Sequence, residues 1–196
     1  MNESPQSPEN APEPIELSPR VEGFADTMFR NVVSTHVEFT FIADNKAYVM
    51  ICANSIIIGA LTTLLVPHLK EQSHLLWPTI LMFCVCLVSL SFSILSIRPA
   101  VGTGTFTRDA VRQRKTNLLF FGNFHASKRE DFDWAMRELL KDENYIFSSM
   151  IQDVYYLGRA LGLKYKQVRI SYDIFLIGMI ASVLFFVVML ALAPGA

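Results

Sequence analysis

Residues 75–97 read LLWPTILMFCVCLVSLSFSILSI and are followed at once by Arg98 and Pro99. In a helix with a rise of about 1.5 Å per residue, this uncharged run is long enough to cross about 30 Å of hydrocarbon. Two more uncharged runs occupy residues 47–67 and 174–196. Because a buried helix of a soluble protein usually keeps a polar face, three such runs favour membrane insertion. We therefore predict an all-α membrane protein with transmembrane helices at 47–67, 75–97 and 171–193.

The distribution of lysine and arginine predicts how these spans are oriented. Of the 17 Lys and Arg residues, three precede residue 47, one lies in the hairpin 68–74, and thirteen lie within 98–170. Cationic flanks of transmembrane helices remain on the cytoplasmic side. The amino terminus and residues 98–170 are therefore predicted to be cytoplasmic, and the carboxyl terminus is predicted to lie on the opposite side. A net charge of -1 gives no global attraction to nucleic acid.

The amino-terminal part changes character at residue 21. Residues 1–20 contain five prolines among polar residues, a composition typical of a disordered tail. From residue 21 onward apolar residues recur at helical spacing, and neither proline nor glycine interrupts residues 24–55. We predict one helix that begins as a cytoplasmic stalk, 21–46, and continues into the first span.

Residues 98–170 are predicted to form a cytoplasmic sensing segment. Residues 99–126 contain several glycines and are expected to form an irregular joint loop. Ser127 and Glu130 have the spacing of a capping box, which predicts a helix over 127–142. A second helix is expected to begin near Asn144 and to run into the third span, although Gly158 and Gly162 weaken it. The two stalk helices and the 127–142 helix are predicted to pack as a cytoplasmic helical bundle.

The joint loop holds the densest cluster of positive charge, and residues 112–124 read RQRKTNLLFFGNF. One interpretation is attraction to anionic lipid, worth about 1 kcal/mol per cation. The other is a mononucleotide pocket, since arginine suits phosphate, an amide suits a base edge and an aromatic ring suits a base face. In that pocket the phosphate would be bound by Arg112, Arg114 or Lys115. The remaining candidate ligand-binding residues are Asn117, Phe120, Phe121 and Gly122.

Polar residues at the ends of the spans and within them have two interpretations each. Asp44 and Lys46 at the mouth of the first span, and Arg98 at the end of the second, either sit in the headgroup region or support a polar pocket. Ser89, Ser93 and Ser96 share one face of the second span, where they either assist helix packing or form a weakly polar seam.

Signals of catalysis and of metal binding are missing from the sequence. It contains no Walker phosphate loop, no HExxH and no Gly-x-Ser-x-Gly. Cys52, Cys84 and Cys86 all fall within predicted spans, where packing is the expected role, and no Cys/His pairs have the spacing of metal ligands. We therefore expect neither an enzyme nor a bound cofactor or metal.

Several short motifs, in order, resemble the transmembrane effector family of the Pycsar anti-phage systems. They are Asp44-x-Lys46-Ala47 at the first span, the run NLLFFG at 117–122, and Asp153-x-Tyr155-x-Leu157-Gly158 with Lys164-Tyr165 and Ser171-Tyr172 before the third span. The resemblance covers roughly residues 24–190.

The resemblance implies a function in the bacterial inner membrane. In such systems a partner cyclase makes cyclic CMP or cyclic UMP on infection, and the membrane effector binds it and impairs the membrane to stop the infected cell. It also implies that Asn117, Phe120, Phe121 and Gly122 belong to the sensing region. Because the soluble part is too short for an ordinary β-roll cyclic-nucleotide domain, a site shared between the subunits of a homo-oligomer is expected. In an inner membrane, the orientation predicted from the lysines and arginines makes the carboxyl terminus periplasmic. The alternatives are a constitutive membrane scaffold and an ion pathway that needs no nucleotide.

Overall fold

A computed structural model describes residues 19–99 and 102–192, and every regular element within them is helical. The α-helices are α1 (Pro19–Ala60), α2 (Leu76–Ile97), α3 (Arg108–Arg112), α4 (Arg129–Leu140) and α5 (Glu143–Ala191). Three helical stretches, containing α1, α2 and α5, are long and apolar enough to cross a membrane. The prediction of an all-α membrane protein with three spans is therefore confirmed.

Helix α1 is continuous across the boundary between the predicted stalk and the predicted first span, as expected from the uninterrupted pattern. It is followed by a π-helical turn, Leu61–Leu65, and a 3-10 turn, Val66–His68, that contains Pro67. Thr62 and Thr63 donate hydroxyl hydrogen bonds to the carbonyls of Ile58 and Gly59, at 2.8 Å each. Such bonds bend helices, and a proline cannot supply the next backbone donor, so the α-helix ends before the hairpin. The predicted disordered tail lies almost entirely outside the described residues.

Helix α2 covers all but the first residue of the predicted span 75–97, and helix α5 begins near Asn144, as expected, and runs into the predicted third span. A 3-10 turn, Ser73–Leu75, leads into α2, and Pro78 lies in the first turn of α2, where its missing N–H has no intrahelical acceptor. Helix α5 passes through Gly158 and Gly162 without a break and ends at Ala191. Its length of 49 residues corresponds to about 74 Å, more than twice the thickness of a bilayer core.

The predicted capping box is wrong. Helix α4 begins at Arg129, and its N-cap residue, Lys128, makes no side-chain capping bond. The Ser127 hydroxyl instead donates to the Gly104 carbonyl, at 3.3 Å. The Ala126 amide also donates to Gly104, at 2.9 Å, so Ser127 joins the joint loop to the start of α4. The Ser127 hydroxyl, which the local spacing assigned to a capping bond of the helix, therefore makes a tertiary hydrogen bond to the joint loop instead.

Two compact units divide the described residues. The first unit comprises residues 19–33 and 102–155, and the second comprises residues 34–99 and 156–192. Helices α1 and α5 contribute residues to both units. The first unit has an apolar core of buried side chains from α3, the joint loop, α4 and α5, namely Val111, Leu118, Ala135, Leu139 and Tyr145. The packing of the full predicted cytoplasmic bundle stays a prediction.

Candidate anion site and its surroundings

The short helix α3 is built by caps at both ends, which the sequence reading of an irregular loop did not anticipate. The Thr107 hydroxyl accepts a bond from the Ala110 amide at 3.2 Å, as an N-cap residue does. At the other end the Arg114 amide donates to Val111 and the Lys115 amide donates to Ala110, both at 2.9 Å. This pair of bonds is the Schellman motif.

Arg114 occupies the position of this motif that is normally glycine. Its φ is 56°, the one positive φ of a non-glycine residue in the described part of the chain. A side chain in this left-handed region costs roughly 1–2 kcal/mol, because the Cβ crowds the following carbonyl oxygen. Strain of this kind persists only where the surroundings hold it, and it often occurs at functional sites.

The contact that holds Arg114 comes from the start of α5. The Arg114 guanidinium forms an ion pair with Oδ2 of Asp142, the residue immediately before α5. The other oxygen of Asp142, Oδ1, accepts a bond from the Tyr145 amide at 3.2 Å, which makes Asp142 the N-cap of the longest helix. The Tyr145 hydroxyl donates to the Thr116 carbonyl at 2.7 Å and fixes the joint loop against α5. Burial raises the pKa of the Tyr145 hydroxyl.

These elements enclose a cleft of about 290 Å³, here called the basic cleft. Small-ligand pockets begin at about this volume. Three cations and two carboxylates line it, and the α5 N-terminus adds the positive end of a helix dipole. Lys141 is paired with Glu138 at 2.6 Å, so the cations of the cleft are already in contact with anionic oxygens. The lining residues are Val111, Arg112, Arg114, Glu138, Lys141, Asp142 and Tyr145.

Arg112 is held more loosely than Arg114. Its guanidinium lies 5.9 Å from the centre of the Trp134 ring and 3.8 Å from the Asp109 carboxylate. Arg108 lies nearer to the same ring, at 5.0 Å, and forms an ion pair with Asp131 at 2.7 Å. Exposed pairs of this kind contribute little to stability, so the Arg112 side chain is free to turn towards an anion.

Asn117, predicted to read a base, is buried, and its amide is engaged within the protein. Its Nδ2 donates to the Asp153 carboxylate at 3.3 Å, and its Oδ1 accepts a bond from the Leu119 amide at 2.9 Å. Its carbonyl accepts a bond from the Asn123 side chain at 2.7 Å. Asn117 therefore fixes the path of the joint loop.

The predicted aromatic residues pack around two glycines. The rings of Phe120 and Phe121 lie 5.0 Å apart, and Phe121 is 54% exposed. A Cβ on Gly122 would collide with the Phe120 ring, and a Cβ on Gly104, whose φ is +74°, would collide with the His125 ring. The Gly104 amide donates to the Gly122 carbonyl at 3.0 Å, so both positions need glycine for close backbone approach. None of these aromatic residues lines the basic cleft, and neither does Lys115.

A second cleft of about 300 Å³ in the same unit is mostly apolar. Its polar residues are Asp26 and Arg30, which pair at 3.1 Å, and Asp153. Burial raises the pKa of the Asp153 carboxyl, and the hydrogen bond donated by Asn117 opposes the rise. Two carboxylates and one guanidinium suit an anion poorly, so the basic cleft is the better anion site. The lining residues are Asp26, Phe29, Arg30, Val33, Leu119, Met150 and Asp153.

The raised pKa of Asp153 predicts a pH-dependent stability. Because the folded protein holds this proton more tightly than the unfolded chain, its stability falls as pH rises from about 4 through the folded pKa. The Asp153→Asn variant keeps an acceptor for Asn117 and has no charge. We expect its melting temperature to exceed that of the wild type at pH 7 and to match it near pH 4, in thermal unfolding of the detergent-purified protein.

Asp133 provides a control of opposite sign for this measurement. The hydrogen bond from Arg137 is the main reason that the pKa of the exposed Asp133 carboxyl is lowered. The stability that the Asp133 carboxylate contributes to the folded protein is therefore present above its unfolded pKa and lost at low pH. The Asp133→Asn variant should be slightly less stable than the wild type at pH 7. A lower melting temperature for Asp153→Asn at pH 7 would contradict the burial argument.

The three predicted supporting residues belong to the second unit. Asp44 binds Lys164 of α5 through both carboxylate oxygens, at 2.7 and 2.9 Å, and not Lys46. The Lys46 ammonium lies 5.9 Å from the centre of the Tyr165 ring. The backbone carbonyl of Lys46 accepts a long hydrogen bond of 3.4 Å from the Tyr172 hydroxyl. Arg98 follows the last residue of α2 and is exposed. These contacts join α1 to α5 within the second unit.

Sequence reasoning found two of the residues that line the basic cleft and missed the others. Arg112 and Arg114 were identified from charge density. Lys141, Asp142 and Tyr145 were not, although an aspartate immediately before a helical pattern is an N-cap signal. That signal places Asp142 at a helix start, but only the folded loop brings it to Arg114.

Residues 27–192 match the model of a family described as the Pycsar effector protein domain, PycTM. Comparison with curated proteins and with solved structures finds no match. The matched residues include all three candidate membrane helices from residue 27 onward and both clefts except Asp26.

Proposed function

The chain belongs to the Pycsar effector transmembrane family, and from this premise we propose that it binds cyclic CMP or cyclic UMP in the basic cleft and then impairs the bacterial inner membrane. The family consists of anti-phage defence effectors rather than enzymes, and it implies a cyclic-nucleotide signal from a cyclase. The three apolar helices make the chain a membrane protein.

The observation that carries the ligand assignment is the pairing of Arg114 with Asp142 at the start of α5. A carboxylate already occupies the place where the guanidinium of Arg114, a residue with a strained backbone, meets a helix N-terminus. Helix N-termini with convergent arginines bind phosphate as well as carboxylate. We propose that the cyclic phosphate displaces the Asp142 carboxylate from Arg114 and recruits Arg112 and Lys141.

Recognition of the base would come from the joint loop. Phe121 offers the exposed ring in this region, and aromatic stacking on a base is worth about 1–3 kcal/mol. Asn117 would hold the loop in place rather than touch the base, because its amide bonds Leu119 and Asp153. A homo-oligomer would allow the loop of one subunit to face the cleft of another.

Release of Asp142 gives the ligand a route to the membrane helices. Asp142 caps α5, and α5 continues without interruption to Ala191. A ligand shifts a conformational equilibrium only by its differential affinity for the two states. Here the difference is the ion pair, which exists without nucleotide and is replaced when nucleotide binds. On this proposal the amino terminus and residues 98–170 face the cytoplasm and the carboxyl terminus faces the periplasm.

The direct test is a thermal-shift titration of the detergent-purified protein with cyclic CMP, cyclic UMP, cyclic AMP and cyclic GMP. Ligand at about 100 times its Kd stabilises the folded state by roughly 2.7 kcal/mol, which raises Tm by about 5–10 °C for a chain of this size. We expect this shift with at least one pyrimidine nucleotide and not with the purines.

Inorganic phosphate and anionic lipid vesicles are the controls for a general anion site. Equal shifts of the melting temperature with phosphate and with all four nucleotides would indicate a nonspecific anion site and not a nucleotide sensor. A shift with anionic vesicles alone would favour the membrane scaffold, whose cations bind lipid headgroups.

A further inference from the structure

Where α1, α2 and α5 meet in the second unit, four buried polar side chains form a network, here called the polar seam. Its members are Asn54 of α1, Ser89 and Ser93 of α2, and Ser171 of α5, and each is 0% exposed. Asn54 Nδ2 donates to the Ser89 hydroxyl at 3.1 Å. The Ser171 hydroxyl lies 3.0 Å from that of Ser89 and 2.7 Å from that of Ser93.

The amide of Asn54 is only half satisfied. Its Nδ2 also donates to the Met50 carbonyl at 2.8 Å, which fixes the orientation of the amide. Its Oδ1 is buried and has no hydrogen-bond partner within the described part of the chain. An unpaired acceptor in a dry interior costs about 1–3 kcal/mol, whereas an apolar side chain of the same size costs nothing. Simple packing therefore does not account for an asparagine here.

An acceptor of this kind suits water and small cations. The groups of the seam are hydroxyl and amide oxygens, and none of its four members carries a charge. Polar residues inside membrane helices frequently mark paths for ions. Ser96, 2% exposed, continues the same face of α2 towards Arg98 and donates to the Ser93 carbonyl at 2.8 Å.

Towards the amino-terminal end of α2, apolar residues close the polar seam. Beyond Ser89 the next two buried residues of α2 are Cys86 and Met82, which are apolar, and the buried polar residue Thr79 follows only at the start of the helix. At the same level Val85 packs directly on the backbone of α5 at Gly178, where no Cβ would fit. An apolar constriction in series with a polar lining is a common form of channel gate.

We propose that the polar seam is a path for water and small monovalent cations, closed by the Val85–Gly178 contact. The inference deepens the proposed function, because it names the route by which the membrane would be breached. It does not depend on the nucleotide, since separation of α2 from α5 by any cause would open the seam.

The test measures accessibility of cysteines placed in α2. In a background without Cys52, Cys84 and Cys86, Ser93→Cys lies in the seam, and Ser91→Cys lies two residues away on the exposed face. The protein is reconstituted in liposomes and treated with a small cationic methanethiosulfonate. Two triggers are compared, namely the pyrimidine nucleotide and the Gly178→Ala substitution, which needs no ligand.

We expect either trigger to raise labelling of Ser93→Cys by about 10-fold or more, as closed and open states that differ by at least 1.4 kcal/mol require. Ser91→Cys should stay unlabelled, and thallium influx should rise together with Ser93→Cys labelling. Thallium influx without labelling of Ser93→Cys would contradict the proposed path. So would a Gly178→Ala variant that shows neither thallium influx nor labelling of Ser93→Cys. If Gly178→Ala acts and the nucleotide does not, the seam stands and the proposed function falls.

An Asn54→Leu variant adds a measurement that does not depend on flux. It removes the unpaired acceptor and keeps the number and branching of the side-chain heavy atoms, so the protein should keep or raise its melting temperature. Triggered thallium influx should fall by about 10-fold or more, because the water-binding group is gone. A lower melting temperature with unchanged influx would assign Asn54 to packing alone and overturn the proposal.

Discussion

Replacing Arg114 with glycine should weaken binding of the cyclic pyrimidine nucleotide by roughly 10- to 100-fold, the loss of one charge-assisted bond of about 1.5–3 kcal/mol. The same change should leave the melting temperature unchanged or slightly higher. Glycine removes roughly 1–2 kcal/mol of left-handed strain at φ 56°, which offsets the lost exposed ion pair. Binding is measured by thermal-shift titration and by calorimetry.

The opposed effects on stability and binding are what make this variant informative. Most substitutions at a binding loop damage the fold and the site together, whereas glycine is the residue that the Schellman motif prefers. The control is Arg137→Ala, which removes an exposed arginine paired with Asp133 at 2.9 Å on α4, outside the cleft. It should leave Kd unchanged. If Arg114→Gly binds as tightly as the wild type, the basic cleft is not the nucleotide site.

Asp142→Asn is the reciprocal variant. Asparagine still accepts the hydrogen bond from the Tyr145 amide, so the cap of α5 remains. The negative charge that competes with phosphate for Arg114 is gone, so the Kd of Asp142→Asn for the nucleotide should fall. The Kd of Arg114→Gly should rise. Weaker binding in both variants would mean that Asp142 contacts the ligand itself rather than competing with it.

The membrane helices could be predicted because their signal is local and large. Hydropathy alone places the spans, since the cost of unsatisfied backbone groups in lipid leaves few alternatives to a helix. Proline also marked helix ends to within a few residues at Pro78 and Pro99, since α2 begins at Leu76 and ends at Ile97. The capping box at Ser127 failed because a distant carbonyl, that of Gly104, accepts the same hydroxyl.

The candidate site could be predicted only in part, because its chemistry arises between segments distant in sequence. Positive charge identified Arg114, but the aspartate that holds it lies 28 positions later and was not singled out from the sequence. Asn117 had the right residue type for base recognition, yet folding uses its amide to hold the joint loop. In the same way Asp44 was assigned with Lys46 to the headgroup region or to a polar pocket, whereas the structure pairs its carboxylate with Lys164 of α5.

The polar seam shows the same division between local and tertiary information. Ser89, Ser93 and Ser96 could be assigned to one face from their spacing, and all three are buried as that spacing predicts. Asn54 went unnoticed among the small residues of the first span, although an amide in hydrocarbon is a stronger signal than a serine. That its oxygen has no described partner follows only from the packed helices.

The second large effect is expected from Gly178→Ala, which should make reconstituted liposomes leak thallium without any nucleotide and should make expression toxic without a cyclase. A Cβ at this position would meet Cγ2 of Val85 at 2.5 Å and Cβ of Val85 at 3.0 Å. Valine is stiff at χ1, and its Cβ cannot move by rotation, so α2 and α5 must separate. The contact that would be broken is the one that closes the polar seam.

Two matched variants separate this steric effect from general damage. Gly162→Ala makes the same substitution in the same helix, where a new Cβ meets nothing within 4 Å, and it should be silent. Val85→Ala in the Gly178→Ala background removes both Cγ atoms that the new methyl group meets, so it should restore most of the barrier. A large dye should stay inside liposomes that release thallium, because the seam admits only small cations. Release of dye and thallium together, or no rescue by Val85→Ala, would show that the substitution disrupts the bilayer or the fold and does not open a path between α2 and α5.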